Sequence, residues 1–173
     1  MSKFEDLRQS YVDARAGYFA RRNACTKLAT ILVQGLEAHI QSPSFKLQFL
    51  PYSGEAYTNK NQTGAAAAWL APDGFWHYRV GLEVSDAQPG SFAKDAARQL
   101  IVIELILQPD GDVFRARING WNDRFTMPAE AGTPEQAAFN EFVFKQMAGT
   151  YEKLGQKFFE GQEDTARIVC GPA

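Results

Sequence analysis

The stretch VFRARINGWNDRF, residues 113–125, predicts a β-hairpin. Asn-Gly between two alternating segments is the strongest short hairpin signal, because a type I′ turn needs positive φ at both central residues. With Asn119 and Gly120 as the two loop residues, Arg115 lies directly opposite Arg124. Like charges in a cross-strand pair are mildly destabilising. Such a pair makes sense if a carboxylate or phosphate lies between the guanidinium groups, or if both groups extend into water.

Turn signals on either side extend this hairpin into an antiparallel meander of five to six strands over residues 45–127. Asp-Gly dipeptides at 73–74 and 110–111 mark two further hairpins. Residues 100–108, LIVIELILQ, are the most apolar segment, and we expect this strand at the centre of the sheet.

One face of the predicted sheet carries both arginine and apolar side chains. Pairing across residues 110–111 places Glu104 opposite Arg117 and Ile106 opposite Arg115. A mixture of arginine and apolar residues is typical of protein interfaces, whereas a purely solvated face favours Lys and Glu. The residues that we expect to bind a partner on this face are Arg79, Arg115, Arg117, Arg124, Ile106 and Trp121.

A capping box of Ser2 and Glu5 predicts a long helix, or a pair of helices, over residues 1–41. An apolar heptad seam runs along it for about four repeats. The helix would be about 57 Å long, whereas a compact domain of this size is roughly 40 Å across. It therefore either breaks near Gly17 or Gly35 and packs on the sheet, or projects as an arm. A projecting arm would bind another protein, or would form a homodimer through Phe4, Leu7, Tyr11, Tyr18, Leu28 and Leu32.

A second helix is predicted over residues 134–161. Thr133 is placed as its N-cap, Pro134 at its first position and Gln136 at N3. The order of a long helix, a meander and an amphipathic helix predicts a single α+β domain over residues 1–173, with the helices on one face of the sheet.

The residues that carry catalytic or metal chemistry are few. The chain has two histidines, and His77 could form a general base with Glu83 or Asp73. However, no Ser or Cys lies in a nucleophile turn. Cys25 and Cys170 lie in no metal-ligand spacing, and no glycine-rich motif matches a phosphate-binding loop. We therefore expect no enzyme, no cofactor and no metal.

The composition of the chain argues against two classes of binding partner, nucleic acids and membranes. The chain is 45% hydrophobic and its formal net charge is −2, so we expect a folded protein and no general nucleic-acid binder. Neither a signal peptide nor an apolar run of membrane-spanning length is present in the sequence, which predicts a cytoplasmic protein with no membrane partner.

These observations favour a non-enzymatic protein-binding module of the chaperone, adaptor, immunity-protein or phage- or plasmid-encoded inhibitor type. It would mask a partner surface through the arginine and apolar sheet face and the amphipathic helices. The helix–meander–helix order is similar to that of small acidic secretion chaperones, without a shared motif. One alternative is anion or nucleic-acid contact through the arginines. Another is a helix-grip small-molecule binder, its cavity lined by Trp69, Trp76, Tyr78, Phe139, Phe142 and Tyr151.

Overall fold

Two long helices and a six-stranded antiparallel sheet make up the fold, which confirms the predicted α+β class. The computed structural model describes residues 2–41, 47–52, 63–85 and 98–160. Cys170 and the predicted boundary residues 45 and 161 lie outside these ranges. The elements in chain order are α1 (Lys3–Ile40), β1 (Gln48–Leu50), α2 (Gly64–Ala67), β2 (Trp69–Leu70), β3 (Trp76–Ser85), β4 (Arg98–Asp110), β5 (Val113–Ile118), β6 (Phe125–Pro128) and α3 (Pro134–Glu160).

Strand β4 lies at the centre of the sheet, as its apolar sequence predicts. The strands follow the order β1-β3-β4-β5-β6, and all neighbours are antiparallel. The short strands β1 and β2 share the outer edge of β3, since β1 pairs with residues 79–81 and β2 with residues 76–77. Leu105, Ile106 and Leu107 point to alternating faces of β4 and are all buried, which suits its near-continuous apolar sequence.

The core lies between one face of the sheet, here called the inner face, and the two long helices. Tyr78 of β3 and Leu28 of α1 are fully buried in it, together with Val143 of α3. The Tyr78 hydroxyl lies 3.1 Å from Thr26 Oγ1, so its one polar atom keeps a partner. Burial raises the pKa of Tyr78 above its usual value.

Helix α1 is continuous through both glycines at which a break was predicted. At Gly35 an added Cβ would lie 2.5 Å from the Asn140 side-chain amide nitrogen, so glycine here allows α3 to approach α1 closely. His39 Nε2 lies 2.9 Å from Glu141 Oε2, which adds an ion-pair contact between the same helices when the histidine is protonated. Gly35 is therefore a packing position between the helices.

The start of α3 follows the predicted capping pattern. The Gln136 amide donates to Thr133 Oγ1, and the Gln136 side-chain oxygen accepts from the Gly132 amide at 2.9 Å. Its side-chain nitrogen donates to the Pro128 carbonyl at the end of β6. The buried Gln136 thus fixes the direction in which the chain leaves the sheet and enters the helix.

The predicted register of the hairpin between β4 and β5 is wrong by two residues. Gly111 and Asp112 are the loop residues, and Gly111 has φ 63° in the first central position, as a type II′ turn requires. Arg117 therefore lies opposite Ile106 and not opposite Glu104. Arg115 correspondingly lies opposite Gln108 and not opposite Ile106.

The register of the hairpin between β5 and β6 is also wrong by two residues. The Trp121 amide donates to the Ile118 carbonyl, but only Gly120 of the two central residues has positive φ, which excludes a type I′ turn. Residues 121–124 leave the ladder before β6 begins, so Arg115 faces Thr126 and not Arg124. The predicted arginine pair does not exist in the fold.

Candidate partner-binding site

The outer face of the sheet, opposite the helices, carries a polar cluster around His77. Its Nδ1 lies 2.6 Å from Glu104 Oε1, and its Nε2 lies 3.3 Å from both carboxylate oxygens of Asp73. Asn119 donates to Glu104 Oε2 at 2.9 Å, and Arg117 lies 3.5 Å from Asp73 Oδ2. His77 itself is 8% exposed. The cluster thus joins β3, β4, β5 and the turn before β3.

The two carboxylates occupy both ring nitrogens of His77. Only an imidazolium can donate to both at once, because a neutral imidazole carries one N–H. Burial raises the pKa of Asp73, but hydrogen bonds from the Phe75 amide and His77 lower it. With the charges of His77 and Arg117, these bonds outweigh burial, and the pKa lies below its usual value of 3.8. In this arrangement both ring nitrogens of His77 lie within hydrogen-bond distance of the chain's own carboxylates.

A second group of stacked side chains lies beside this cluster. The Tyr52 ring stacks on Trp69 with a centroid distance of 3.8 Å, and Trp69 meets the His77 ring edge at 5.2 Å. Arg79 donates to the Tyr52 carbonyl at 2.7 Å, and its guanidinium lies over the Tyr52 ring. The chain's own groups therefore already bind Arg79.

The remaining residues predicted to bind a partner are divided between the outer face and other positions. Arg115 pairs with Asp110 at 2.7 Å, and Arg124 is exposed in the loop before β6. Ile106 is on the outer face as predicted, but it is 1% exposed and offers a partner no surface in this conformation. Trp121 lies apart from the arginines, since it packs on Phe142 of α3 with a ring-centroid distance of 5.7 Å. The structure thus places Arg79, Arg115, Arg117 and Ile106 on the outer face, as predicted, and separates Arg124 and Trp121 from them.

The aromatic residues proposed to line a helix-grip cavity lie on both sides of the sheet. Trp76, Tyr78 and Phe139 are buried in the core between the sheet and the helices. Trp69 pairs with His77 and lies on the outer face, because five residues, 71–75, connect β2 to β3, whereas a loop of Asp73 and Gly74 alone would place Trp69 opposite Tyr78. The predicted set therefore does not line one cavity.

The first half of α1 is the largest exposed apolar feature in the described part of the chain. Every residue from Ser2 to Arg21 is exposed, including Phe4 at 72%, Leu7 at 69% and Tyr11 at 63%. We call the segment from Lys3 to Arg21 the arm; it is about 28 Å long at 1.5 Å per residue. Its apolar stripe, the arm seam, comprises Phe4, Leu7, Tyr11, Ala14 and Tyr18.

The arm ends where the same heptad seam enters the core. Tyr18 lies at the base of the arm, and its ring is 5.1 Å from that of Trp76. Further along, Cys25, Leu28 and Leu32 are buried. The prediction that Leu28 and Leu32 take part in a homodimer is therefore wrong, since both pack against the chain's own sheet. Burial also raises the pKa of Cys25 to about 12.

The two flanks of the arm seam differ in chemistry, a feature that the apolar pattern alone does not reveal. With Phe4 and Leu7 at heptad positions a and d, Arg8 and Arg15 occupy position e on one flank. Position g on the other flank holds Lys3 at the start of the helix and then Ser10 and Gly17. Aligning the heptad on the seam would have identified both flanks from sequence.

Comparison of the chain with protein-family models, curated proteins and solved structures found no significant match. Among the helices of the described ranges, none combines the length and apolar character needed to cross a membrane.

Proposed function

We propose that the chain is a non-enzymatic protein-binding module and that its arm is the surface that contacts the partner. The observation that carries the proposal is the continuous helix α1, whose first half holds an exposed apolar seam outside the core. Large apolar side chains are seldom left in a row in water unless a partner covers them. A chaperone, an adaptor, an immunity protein and an inhibitor would all use such a surface.

The size of the seam suits a specific complex. Phe4, Leu7, Tyr11 and Tyr18 are each more than 40% exposed. Complete burial of a side chain of this size gains about 1.5–3 kcal/mol. The four together approach the cost of association, which is of order 4–15 kcal/mol. The arm can therefore supply most of the favourable energy of a complex.

The sheet face contributes less to this proposal than its sequence predicts. Asp110 binds Arg115, the Tyr52 carbonyl binds Arg79, and Asp73 lies beside Arg117. A partner carboxylate would have to displace these groups, which reduces the net gain from each new ion pair. A partner that binds the apolar seam of the arm would not have to displace any such group.

Affinity capture with matched variants tests the proposal. Tagged protein is used to capture partners from nuclease-treated lysate of its source, alongside Leu7→Asp and Ala16→Asp. Both substitutions place an aspartate in the arm, but Ala16 is exposed at position f on the side away from the seam. We expect a stoichiometric partner that Leu7→Asp loses and Ala16→Asp retains. Retention by Leu7→Asp, or no specific protein in any capture, would refute the proposal.

A further inference from the structure

The spacing of the arm seam selects the shape of its occupant. Phe4, Leu7, Tyr11, Ala14 and Tyr18 recur every 3.5 residues on average, which is the repeat that packs knobs into holes against a second helix. Both ends of the seam are on one uninterrupted helix, with no described residue of the body covering Phe4 to Tyr11. The seam spans about 21 Å, so a partner helix of four turns would cover it.

One flank of the seam carries positive charge with no acid to balance it. Arg8 and Arg15 are exposed, and among the residues that the structure describes neither forms an ion pair. The Arg15 guanidinium lies over the Phe19 ring of the next turn, 5.6 Å from its centroid. Charges at position e of a coiled coil select the partner through its facing residues. Acidic residues on the partner would complement this flank.

Beyond Lys3, the other flank carries only small side chains. Ser10 and Gly17 occupy it, and an added Cβ at Gly17 would meet no atom within 4 Å. Glycine within a helix costs stability relative to alanine. In return, small residues allow a second helix to approach closely on this side. The arm thus offers a basic flank and a close-packing flank on either side of its seam.

A second copy of the chain fits this surface poorly. In a parallel pair the second helix would follow the seam into Cys25 and Leu28, a position that the chain's own sheet already occupies. In an antiparallel pair centred on Tyr11, the e positions face each other, which places Arg8 against Arg15 of the other copy. Steric overlap opposes the first arrangement and charge repulsion the second.

We infer that the occupant of the arm is an amphipathic helix of a different protein, with an apolar seam flanked by acidic residues. This inference rests on the proposed function of the arm and adds the chemistry of the partner.

Two synthetic 21-residue helical peptides test it. Both carry Leu at positions a and d; one has Glu and the other Lys at positions e and g. Each is labelled and used at nanomolar concentration, so that it does not pair with itself, and binding is followed by fluorescence anisotropy. We expect the acidic peptide to bind about tenfold more tightly, because two exposed ion pairs replace two repulsions. Its affinity should fall as salt rises.

Charge variants provide the control. The double variant Arg8→Glu/Arg15→Glu should reverse the preference. The double variant Lys27→Glu/Lys145→Glu makes the same change in net charge at exposed positions outside the arm and outside the predicted partner-binding residues, and should leave the preference unchanged. Equal binding of the two peptides, or a preference that the control variant also reverses, would overturn the inferred flank chemistry.

Two other outcomes separate this inference from the proposed function. Failure of both peptides to bind, while Leu7→Asp still abolishes capture of a partner, would show that the occupant is not a helix of this kind although the arm binds it. A dimer in sedimentation equilibrium that Leu7→Asp dissociates would show that the occupant is a second copy. Retention of the captured partner by Leu7→Asp would instead refute the proposed function itself.

Discussion

Leu7 and Leu28 lie on the same helix and the same heptad seam, three repeats apart, yet the structure gives them different energetic roles. Leu28 is 0% exposed in the core, whereas Leu7 is 69% exposed on the arm. Leu28→Ala removes buried methyl groups and leaves a cavity, which costs about 2–5 kcal/mol. Leu7→Ala removes few contacts and introduces the best helix former, so the free energy of unfolding should change by no more than about 0.5 kcal/mol.

Urea denaturation followed by circular dichroism measures both changes in one experiment. In thermal unfolding, about 3 kcal/mol lowers the Tm of a domain of this size by roughly 6–12 °C, so Leu28→Ala should show a clear shift and Leu7→Ala almost none. Measurements at several protein concentrations exclude a contribution from self-association. If Leu7→Ala destabilised the protein as much as Leu28→Ala, the arm would be part of the core and the account of α1 would be wrong.

Three further predictions follow from the side-chain contacts. Because the pKa of Asp73 is lowered in the folded state, its stabilisation is present above the usual value of 3.8 and is lost as the pH falls through the lower folded value. Unfolding of Asp73→Asn should therefore depend less on pH below about 4, and an unchanged acid limb would contradict this. Cys25, with its pKa raised to about 12, should resist iodoacetamide at neutral pH in the native protein and react in urea; rapid native labelling of its peptide by mass spectrometry would show an open site. Arg115→Ser/Arg124→Ser should change the free energy of unfolding by less than about 1 kcal/mol, because the Arg115–Asp110 pair is exposed; a larger loss in urea denaturation would show that these arginines are structural.

The helix starts could be predicted because they depend on residues within one turn. Ser2 and Glu5 form the reciprocal capping box at the start of α1, and Thr133 and Gln136 form the equivalent bonds at α3. Side-chain oxygens that satisfy the first backbone amides need no distant partner. These contacts are therefore visible in the order of the residues alone.

The registers of the β4–β5 and β5–β6 hairpins could not be predicted, because in each hairpin the predicted and observed pairings differ by two residues. A shift of two leaves every side chain on its original face, so the alternating apolar pattern fits both registers equally well. Turn geometry selects between them: Gly111 takes positive φ in the first loop, and Asn119 does not in the second. Sequence indicated the faces correctly along β4 and β5 but not which residues pair.

One of the two acidic partners of His77 could not be predicted from sequence for a related reason. Asp73 is four residues away and is one of the two acids predicted for it, whereas Glu104 approaches only through the pairing of β3 with β4. That pairing places Ile106 opposite His77 and leaves Glu104 on the diagonal. A contact across 27 residues of sequence depends on the register and is beyond what the pattern predicts.

The division of the α1 seam into arm and core also lies outside the sequence pattern. Tyr11 and Leu28 satisfy the same heptad equally well, and only the position of the sheet decides which is covered. The two predicted alternatives, a broken helix on the sheet and a projecting arm, have the same residue pattern. The structure selects the arm.

Site-specific photocrosslinking in the source cells tests the arm as a partner-binding surface most directly. A photoreactive phenylalanine analogue replaces Tyr11 on the seam or, in the matched control, Ala16 on the opposite face of the same helix. We predict one discrete heteromeric crosslink at position 11 and none at position 16. Equal crosslinking at both positions, or no crosslink at position 11, would contradict the account.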